Sequence, residues 1–318
     1  MPPRAGVDLG GTKIQTVVLD GRSKVLGQSR VPTPSSDGPK KVVQTIAQAV
    51  GAAAEEAGLA TDSLIGVGVG APGGIEPDKG VLLNPPNLKG FGDEYPLGPE
   101  LEQQLGTRVW LGNDVSVATE AEFRLGAGKP YDSILGVFWG TGVGGGLILD
   151  GKQWVGRGSA GEIGHIVVHP NGDRCGCGRL GCMEAYAGRG QMEAKARHRM
   201  KKGEKTRLFE IMEKRGRDRL TSGIWARALA HEDKMALDLI ETAIDALGIG
   251  VASCVNVLDP EAVIIGGGLG TRLGEPYAKR IEKAMMPHLF VDDNPPDIRV
   301  ATLGDLGGAM GAALLVKK

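Results

Sequence analysis

The sequence predicts an α/β protein built as two related lobes around a cleft. Three observations carry this. Strand patterns alternate with helical ones along the chain, the mark of the α/β class. The chain opens on strand, glycine turn, strand, tight turn, strand, and that pattern returns near Tyr131 without residue identity. No low-complexity linker separates the two units, so their boundary reads as a hinge and not as a tether.

In the first unit, residues 4–8 form a short strand ending at Asp8, followed by the tight turn Gly10-Gly11-Thr12. Ile14–Leu19 and Val25–Val31 alternate as strands on either side of Asp20-Gly21. Residues 32–39 are a loop rich in Pro, Ser and Gly. An Ala-rich helix from 40 to 58 follows, with apolar residues at 42, 43, 46, 50 and 53. Leu64–Val69 is a buried strand, and a short strand at 109–111 runs into Asn113-Asp114 and a helix over 115–125.

The second unit begins with an apolar strand at 134–139, then the glycine run 140–146, then a resumed strand at 147–149 before Asp150-Gly151. Residues 184–252 are mostly helical, and their basic segment at 195–207 reads as a solvated helix face. Val263–Ile265 is a buried strand capped by Gly266-Gly267-Gly268. A helix at 276–287, a strand at 298–301 and a small-residue helix at 306–316 complete the chain.

Bulk properties narrow the function. The 318 residues are enough for two ordinary domains, and 41% hydrophobic content supports a sizeable core. Aromatic residues are only 4%, so that core is aliphatic. A net charge of −1 gives no electrostatic case for nucleic acid or an anionic membrane. The 52 glycines are roughly twice the usual share and come in clusters, which implies backbone that turns sharply or closely approaches a ligand. No stretch approaches the ~20 apolar residues of a membrane span. The start of the chain passes straight into a strand without a signal-peptide pattern, so a cytoplasmic location with reduced cysteines is expected. Cys254, in an apolar helical setting, reads as a buried core thiol.

Several motifs carry chemistry. In Asp8-Leu9-Gly10-Gly11-Thr12-Lys13, glycine amides, Thr12 and Lys13 are donors suited to a phosphate, and Asp8 at the strand end is suited to Mg²⁺. The competing reading is a plain Gly-Gly hairpin; a Walker loop is excluded because the Gly-Lys-Ser/Thr ending is missing. Gly140-Thr141-Gly142-Val143-Gly144-Gly145-Gly146 precedes a strand, so it is no Rossmann fingerprint. Two such hairpins, one per lobe, would clamp a polyphosphate. Gly267 and Gly268 suit close passage of a nucleoside, or else a simple strand-to-helix turn. Asp114 can accept a proton from a substrate hydroxyl, with Asn113 orienting the ligand. The alternative is a helix N-cap.

Between Glu162 and Glu184 the chain holds His165, His169, Cys175, Cys177 and Cys182. Three thiols and an imidazole make a tetrahedral zinc set. Spacing leaves either histidine as the fourth ligand. Glu162 and Glu184 fall outside that set and are available for something polar, such as sugar hydroxyls. Ser159 and the histidines form no hydrolase triad, since no Gly-x-Ser-x-Gly elbow is present.

Together these motifs, in this order from end to end, resemble the ROK group (repressors, uncharacterised frames and sugar kinases), most closely its bacterial glucokinases. The Cys-Gly-Cys-Gly-Arg-Leu-Gly-Cys-Met-Glu stretch is the most specific piece. The resemblance implies a two-lobed actin/hexokinase-like ATPase fold closing over ATP and a hexose. The implied division is a smaller lobe at 1–113, to which the last helix (about 302–318) returns, and a larger lobe at 114–301 with the zinc site. Asp114 becomes the catalytic base. Asn113, Asp114, Glu162, His165, Glu184 and Gly74 are assigned to the sugar. Asp8, Gly10, Gly11, Thr12, Lys13, Thr141, Gly142, Gly144, Gly267 and Gly268 are assigned to ATP. His165, Cys175, Cys177 and Cys182 become the ligands of a structural Zn²⁺, with Mg²⁺ accompanying ATP. The implied reaction is phosphorylation of glucose at its 6-hydroxyl. The alternatives are N-acetylmannosamine, N-acetylglucosamine, fructose or allose as acceptor, polyphosphate as donor, or a non-catalytic sugar sensor. A homodimer or tetramer is implied, and no DNA-binding region is expected with seven residues ahead of Asp8. Two departures stand out: Gly304-Asp305-Leu306-Gly307-Gly308 near the C-terminus, and Phe91 in place of a common Trp after the loop at 84–90.

Overall fold

A computed structural model describes residues 2–85 and 88–317. Pro86 and Asn87, in the loop before Phe91, lie outside the described residues, as do Met1 and Lys318 at the ends of the expected lobes.

Two five-stranded sheets carry the chain, and they share one topology. In the first, β1 (Arg4–Leu9), β2 (Lys13–Leu19) and β3 (Val25–Pro32) form an antiparallel meander. β4 (Val67–Ala71) then pairs parallel with β1. Three short strands, β5 (Gly74–Glu76), β6 (Val81–Leu83) and β7 (Glu94–Tyr95), make a separate small sheet. β8 (Val109–Asn113) pairs parallel with β4, giving the order β3-β2-β1-β4-β8. In the second sheet, β9 (Ile134–Trp139), β10 (Val143–Leu149) and β11 (Lys152–Gln153) repeat the meander. β12 (Ala262–Gly266) and β13 (Asp297–Val300) repeat the parallel pair, giving β11-β10-β9-β12-β13. The duplication expected from the pattern is thus present strand for strand.

Helices cover these sheets. α1 (Pro39–Glu56) and α2 (Leu97–Leu105) share a core with the first sheet. α3 (Asp114–Leu125) touches β4 and β8 on one side and β9 and β10 on the other, so it lies between the sheets. Five helices follow: α4 (Met183–Ala187), α5 (Arg189–Lys201), α6 (Leu208–Lys214), α7 (Ser222–Ala230) and the long α8 (Lys234–Leu258), whose buried face runs through the second core. α9 (Gly267–Leu273) and α10 (Glu275–Met285) precede β13. The last helix, α11 (Gly307–Leu314), packs on β1, β4 and α3. Its small residues have a clear cause: a Cβ at Gly68 of β4 would lie 1.8 Å from the Ala312 carbonyl oxygen, so helix and sheet touch backbone to backbone.

The structure differs from expectation in one instructive place. The glycine loop 140–146 is only a turn at 140–142, because β10 already begins at Val143. Gly144, Gly145 and Gly146 are strand residues pressed against neighbours. A Cβ at Gly146 would lie 2.1 Å from Thr119 Oγ1, and one at Gly144 would lie 2.7 Å from Val115 Cγ2. The density of glycine there reflects close seating on both faces of β10: α3 against Gly144 and Gly146, and Gly161 and Ile163 against Gly145. The short elements β5, β6, β7 and α2 were not foreseen, since runs this brief carry too little periodicity. The basic run at 195–207 is a surface as expected, with Arg199 paired to Glu204 and Asp238. Cys254 is buried at 5% exposure.

Candidate functional site

Four segments meet where β10 begins. Helix α3 starts at Asp114 and is capped by Asn113, whose Oδ1 accepts the amides of Val115 (3.1 Å) and Ser116 (3.0 Å). Asn113 Nδ2 donates to the Gly73 carbonyl at 3.3 Å, which draws the Gly73-Gly74 bend toward the helix start. Asn113 therefore fills the capping role that competed with ligand orientation in the sequence. Asp114 is left as the side chain that points off the first turn, with Oδ1 held only by the Val115 amide at 2.9 Å. It keeps a water-facing edge yet lies deep among protein atoms, as a group on a cleft floor does. Burial raises its pKa above the usual carboxylate value, the Val115 amide opposes that, and Glu162 adds to it.

Asp8, next to last in β1, has a similar setting. Burial pushes its carboxyl up to about 7, and the nearby Asp114 charge adds to the rise while Lys13 opposes it. The turn after it is tight: Gly10 N–H donates to the Lys13 carbonyl at 3.0 Å, and Thr33 Oγ1 donates to the Gly10 carbonyl at 2.6 Å. Lys13 pairs with Asp305 at 3.5 Å, and Asp305 also meets Arg30 at 3.1 Å. A Cβ at Gly308 would stand 2.9 Å from Asp8 Cγ, so the glycines of the C-terminal departure make room for this carboxylate. Nothing in sequence spacing linked Asp305 to Lys13, because the contact forms only when the chain's last helix returns to β1.

On the other sheet, the turn at 140–142 and the turn after β12 are neighbours: a Cβ at Gly140 would lie 3.9 Å from the Gly268 amide nitrogen. Gly267 has φ +79, and a Cβ there would lie 2.6 Å from the Trp139 carbonyl oxygen, so no other residue fits. Thr141 Oγ1 accepts from Arg189 Nη2 at 2.7 Å, a partner that sequence reasoning missed. The equivalence of β1 with β9 makes the Gly10–Lys13 and 140–142 turns counterparts in the two sheets.

The cysteine-rich stretch folds as a tight knot. The Cys175 amide donates to the Arg179 carbonyl at 2.8 Å, and a Cβ at Gly181 would lie 1.8 Å from the His169 carbonyl oxygen. His165, Cys175, Cys177 and Cys182 present ligand atoms all within 4.8 Å of one another. His165 Nδ1 stands 3.7 Å from Cys175 Sγ, and Cys177 Sγ stands 3.8 Å from Cys182 Sγ. A tetrahedral zinc with bonds of ~2.3 Å to sulfur and ~2.0 Å to nitrogen has edges of about 3.5–3.8 Å, so these four residues fit such an ion. Burial works against ionisation of Cys177, but the Arg179 amide and the neighbouring thiols outweigh it and bring its thiol down to about 7. His169, which spacing left open, stands outside the group with its ring edge-on to Tyr186 at 4.8 Å.

The knot is wired to the glycine turn through its two flanking acids. Glu184 Oε2 accepts the Val143 amide at 3.0 Å while Oε1 lies 3.7 Å from Cys175 Sγ. Glu162 Oε2 lies 3.9 Å from His165 Nε2, the ring nitrogen facing away from the thiols. The 3₁₀ turn Ile163–His165 presses on β10, since a Cβ at Gly164 would lie 2.0 Å from the Val143 carbonyl oxygen. Glu184 and the turn Ile163–His165 thus both meet Val143 at the start of β10, and Glu162 lies near enough to Asp114 to add to the rise in its pKa. Among the described residues, no helix is long and apolar enough to cross a membrane.

Comparison with known proteins agrees with this arrangement. Residues 4–318 match the model of the ROK family. A glucokinase of Halalkalibacterium halodurans is 33% identical, over 98% of this chain and 94% of that protein. An N-acetylgalactosamine kinase of a Shewanella species is 32% identical, over 98% and 95%. The crystal structure of a ROK family glucokinase from Streptomyces griseus in complex with glucose and AMPPNP superimposes with a TM-score of 0.84, at 33% identity over 99% of each chain. Its relatives share the two-lobed, actin-like ATPase fold that the paired sheets display here. With a family match from β1 to the last helix and relatives of this identity over nearly the whole length, the chain belongs to the ROK family.

Proposed function

We propose that this protein is an ATP-dependent sugar kinase that phosphorylates D-glucose at its 6-hydroxyl. The observation that carries the reading is Asp114: a carboxylate at the start of α3, which lies between two matching sheets, with its pKa raised by burial and with Glu162 and Asp8 near enough to interact with its charge. The names of the relatives supply the substrate classes. Glucose is the first choice, and an N-acetylated hexose is the second because a relative of nearly equal identity bears that name.

In this reading Asp114 takes the proton of the C6 hydroxyl as that oxygen forms its bond to the γ-phosphorus. The bond from that phosphorus to the bridging oxygen breaks, and the electron pair leaves with ADP. General-base help of this kind contributes about 10²–10⁴-fold. Asn113, Gly74, Glu162, His165 and Glu184 orient the sugar. The turn Gly10-Gly11-Thr12-Lys13, with Thr141, Gly142, Gly267 and Gly268, holds the nucleotide; Gly144 drops out of this set because its missing side chain makes room for Val115. Asp8 would hold Mg²⁺, which when bound neutralises phosphate charge. His165, Cys175, Cys177 and Cys182 would hold a structural Zn²⁺ with no open position, so the metal fixes geometry and does no chemistry. Residues 1–113 with the returning C-terminal helix would move as one lobe against 114–301, excluding water on closure. The proposal extends to a cytoplasmic homodimer or tetramer.

The test is ADP release measured with ATP across glucose, fructose, allose, N-acetylglucosamine, N-acetylmannosamine and N-acetylgalactosamine, repeated with polyphosphate as donor. Fastest turnover with glucose and ATP supports the reading. Sugar binding without ADP release from any acceptor would establish a sensor instead.

A further inference from the structure

Among the described residues, Arg189 is a cation with no ion-pair partner. Its Nη1 donates to the Leu220 carbonyl and its Nη2 to Thr141 Oγ1, both at 2.7 Å, yet its Nε is buried with no partner. Among the described residues, no carboxylate lies within ion-pair distance of it. The neighbouring Glu193 is taken by Arg197 at 2.7 Å and Arg219 at 3.4 Å, and accepts the Leu220 amide. Burial lowers the pKa of Arg189, the like charge of Arg219 adds to this, and the Glu193 charge, already paired elsewhere, opposes it without reversing it. A half-buried guanidinium beside a second arginine is costly unless an anion joins it.

Its position says which anion. Arg189 opens α5, and its own amide donates to the Gly140 carbonyl at 3.2 Å while Gly190 N–H donates to the Thr141 carbonyl at 3.0 Å. The side chain and backbone therefore fold around the 140–142 turn, next to Gly268 and Ser222. Of the five guanidinium N–H groups, two are engaged with Leu220 and Thr141, and each Nη keeps a free hydrogen.

We propose that Arg189 binds the phosphates of the donor nucleotide, completing with Thr141 the site that the glycine turn begins. The inference rests on the kinase reading above and adds to it a residue that none of the motifs contains. A guanidinium is suited to this because its planar fork matches phosphate oxygens.

Calorimetric titration of the full-length protein with MgATP and, separately, with adenosine tests it. Arg189→Ala is expected to weaken ATP about 10- to 100-fold, the loss of a charged hydrogen bond, and to leave adenosine and glucose binding within about twofold. Arg189→Lys should recover part of the ATP affinity. Arg189→Gln removes the charge but keeps a side chain that reaches toward Thr141, and it decides the matter if Arg189→Ala does not fold. Equal losses for ATP and adenosine, or no loss for ATP, would overturn the proposal and leave Arg189 a strut of the turn. Because binding is read without turnover, a wild-type protein that binds ATP but phosphorylates no sugar defeats the kinase reading alone, and the ATP-to-adenosine comparison still decides on Arg189. A wild-type protein that binds no ATP defeats both.

Discussion

Glu122 and Thr302 join the two places where the chain crosses between its sheets. Glu122 Oε2 accepts the Thr302 amide at 3.1 Å and the Ala127 amide at 3.0 Å, while Oε1 accepts the Leu303 amide at 2.9 Å. Ala127 lies on the way from α3 to β9, and Thr302 and Leu303 lie on the way back from β13 to α11. One buried carboxylate, 2% exposed, thus fastens both crossings.

Replacing Glu122 should loosen this point. Glu122→Ala strips the acceptor from several buried backbone amides, and a loss of about 2–4 kcal/mol in unfolding free energy is expected. Urea denaturation measures it. A change below about 0.5 kcal/mol would show that water replaces the carboxylate without cost.

Asp114→Asn tests the base. The amide still accepts from Val115 and keeps the start of α3 intact, so the fold and most sugar affinity should persist. Turnover should fall by about 10²–10⁴-fold. Retention of more than about a tenth of the wild-type rate would remove Asp114 from the proton transfer.

How much of this was legible in the residues depends on distance along the chain. The meander that opens each sheet, the strand end carrying Asp8, the strand-to-helix junction carrying Asp114, and the thiol cluster are local patterns, and all stand where the periodicity and spacing put them. Gly144 to Gly146 misled because a glycine run has two causes, a ligand's approach or a neighbour's. Only the contacts show that the neighbours here are Val115 and Thr119 of α3 for Gly144 and Gly146, and Gly161 and Ile163 for Gly145. Arg189, Asp305 and Glu122 were invisible for another reason. Each acts on a segment far away in sequence, and a single arginine or carboxylate at the end of a helix looks like any solvated charge.

Asp8 makes stability depend on pH. Its carboxyl is raised from 3.8 to about 7 in the folded protein, so folding takes up a proton between those values. The contribution is full below about pH 4 and is lost as pH rises through about 7. Discounted for its water-facing edge, the loss at pH 8 is of order 2 kcal/mol. Without nucleotide or Mg²⁺, Asp8→Asn should therefore be more stable than wild type at pH 8 and lose that advantage near pH 4, while losing activity. Asp114 shifts in the same direction, so the variant's slope should shrink and not vanish. Thermal unfolding at pH 5 and pH 8 gives the answer; equal stability of the two proteins at pH 8 would mean that Asp8 is not strained by its burial.

Cys177→Ser separates a structural metal from an incidental one. Cys177 is the exposed member of the thiol cluster, so the substitution removes a ligand without opening a core cavity. If the ion pins the knot, its loss frees Cys175 and His165, and through them Glu184 and Glu162. Zinc content by elemental analysis and glucose affinity by calorimetry should then fall together, and a chelator should reproduce both losses in the wild type. Sugar affinity that survives the loss of zinc would show that Glu184 is held well enough by the Val143 amide alone.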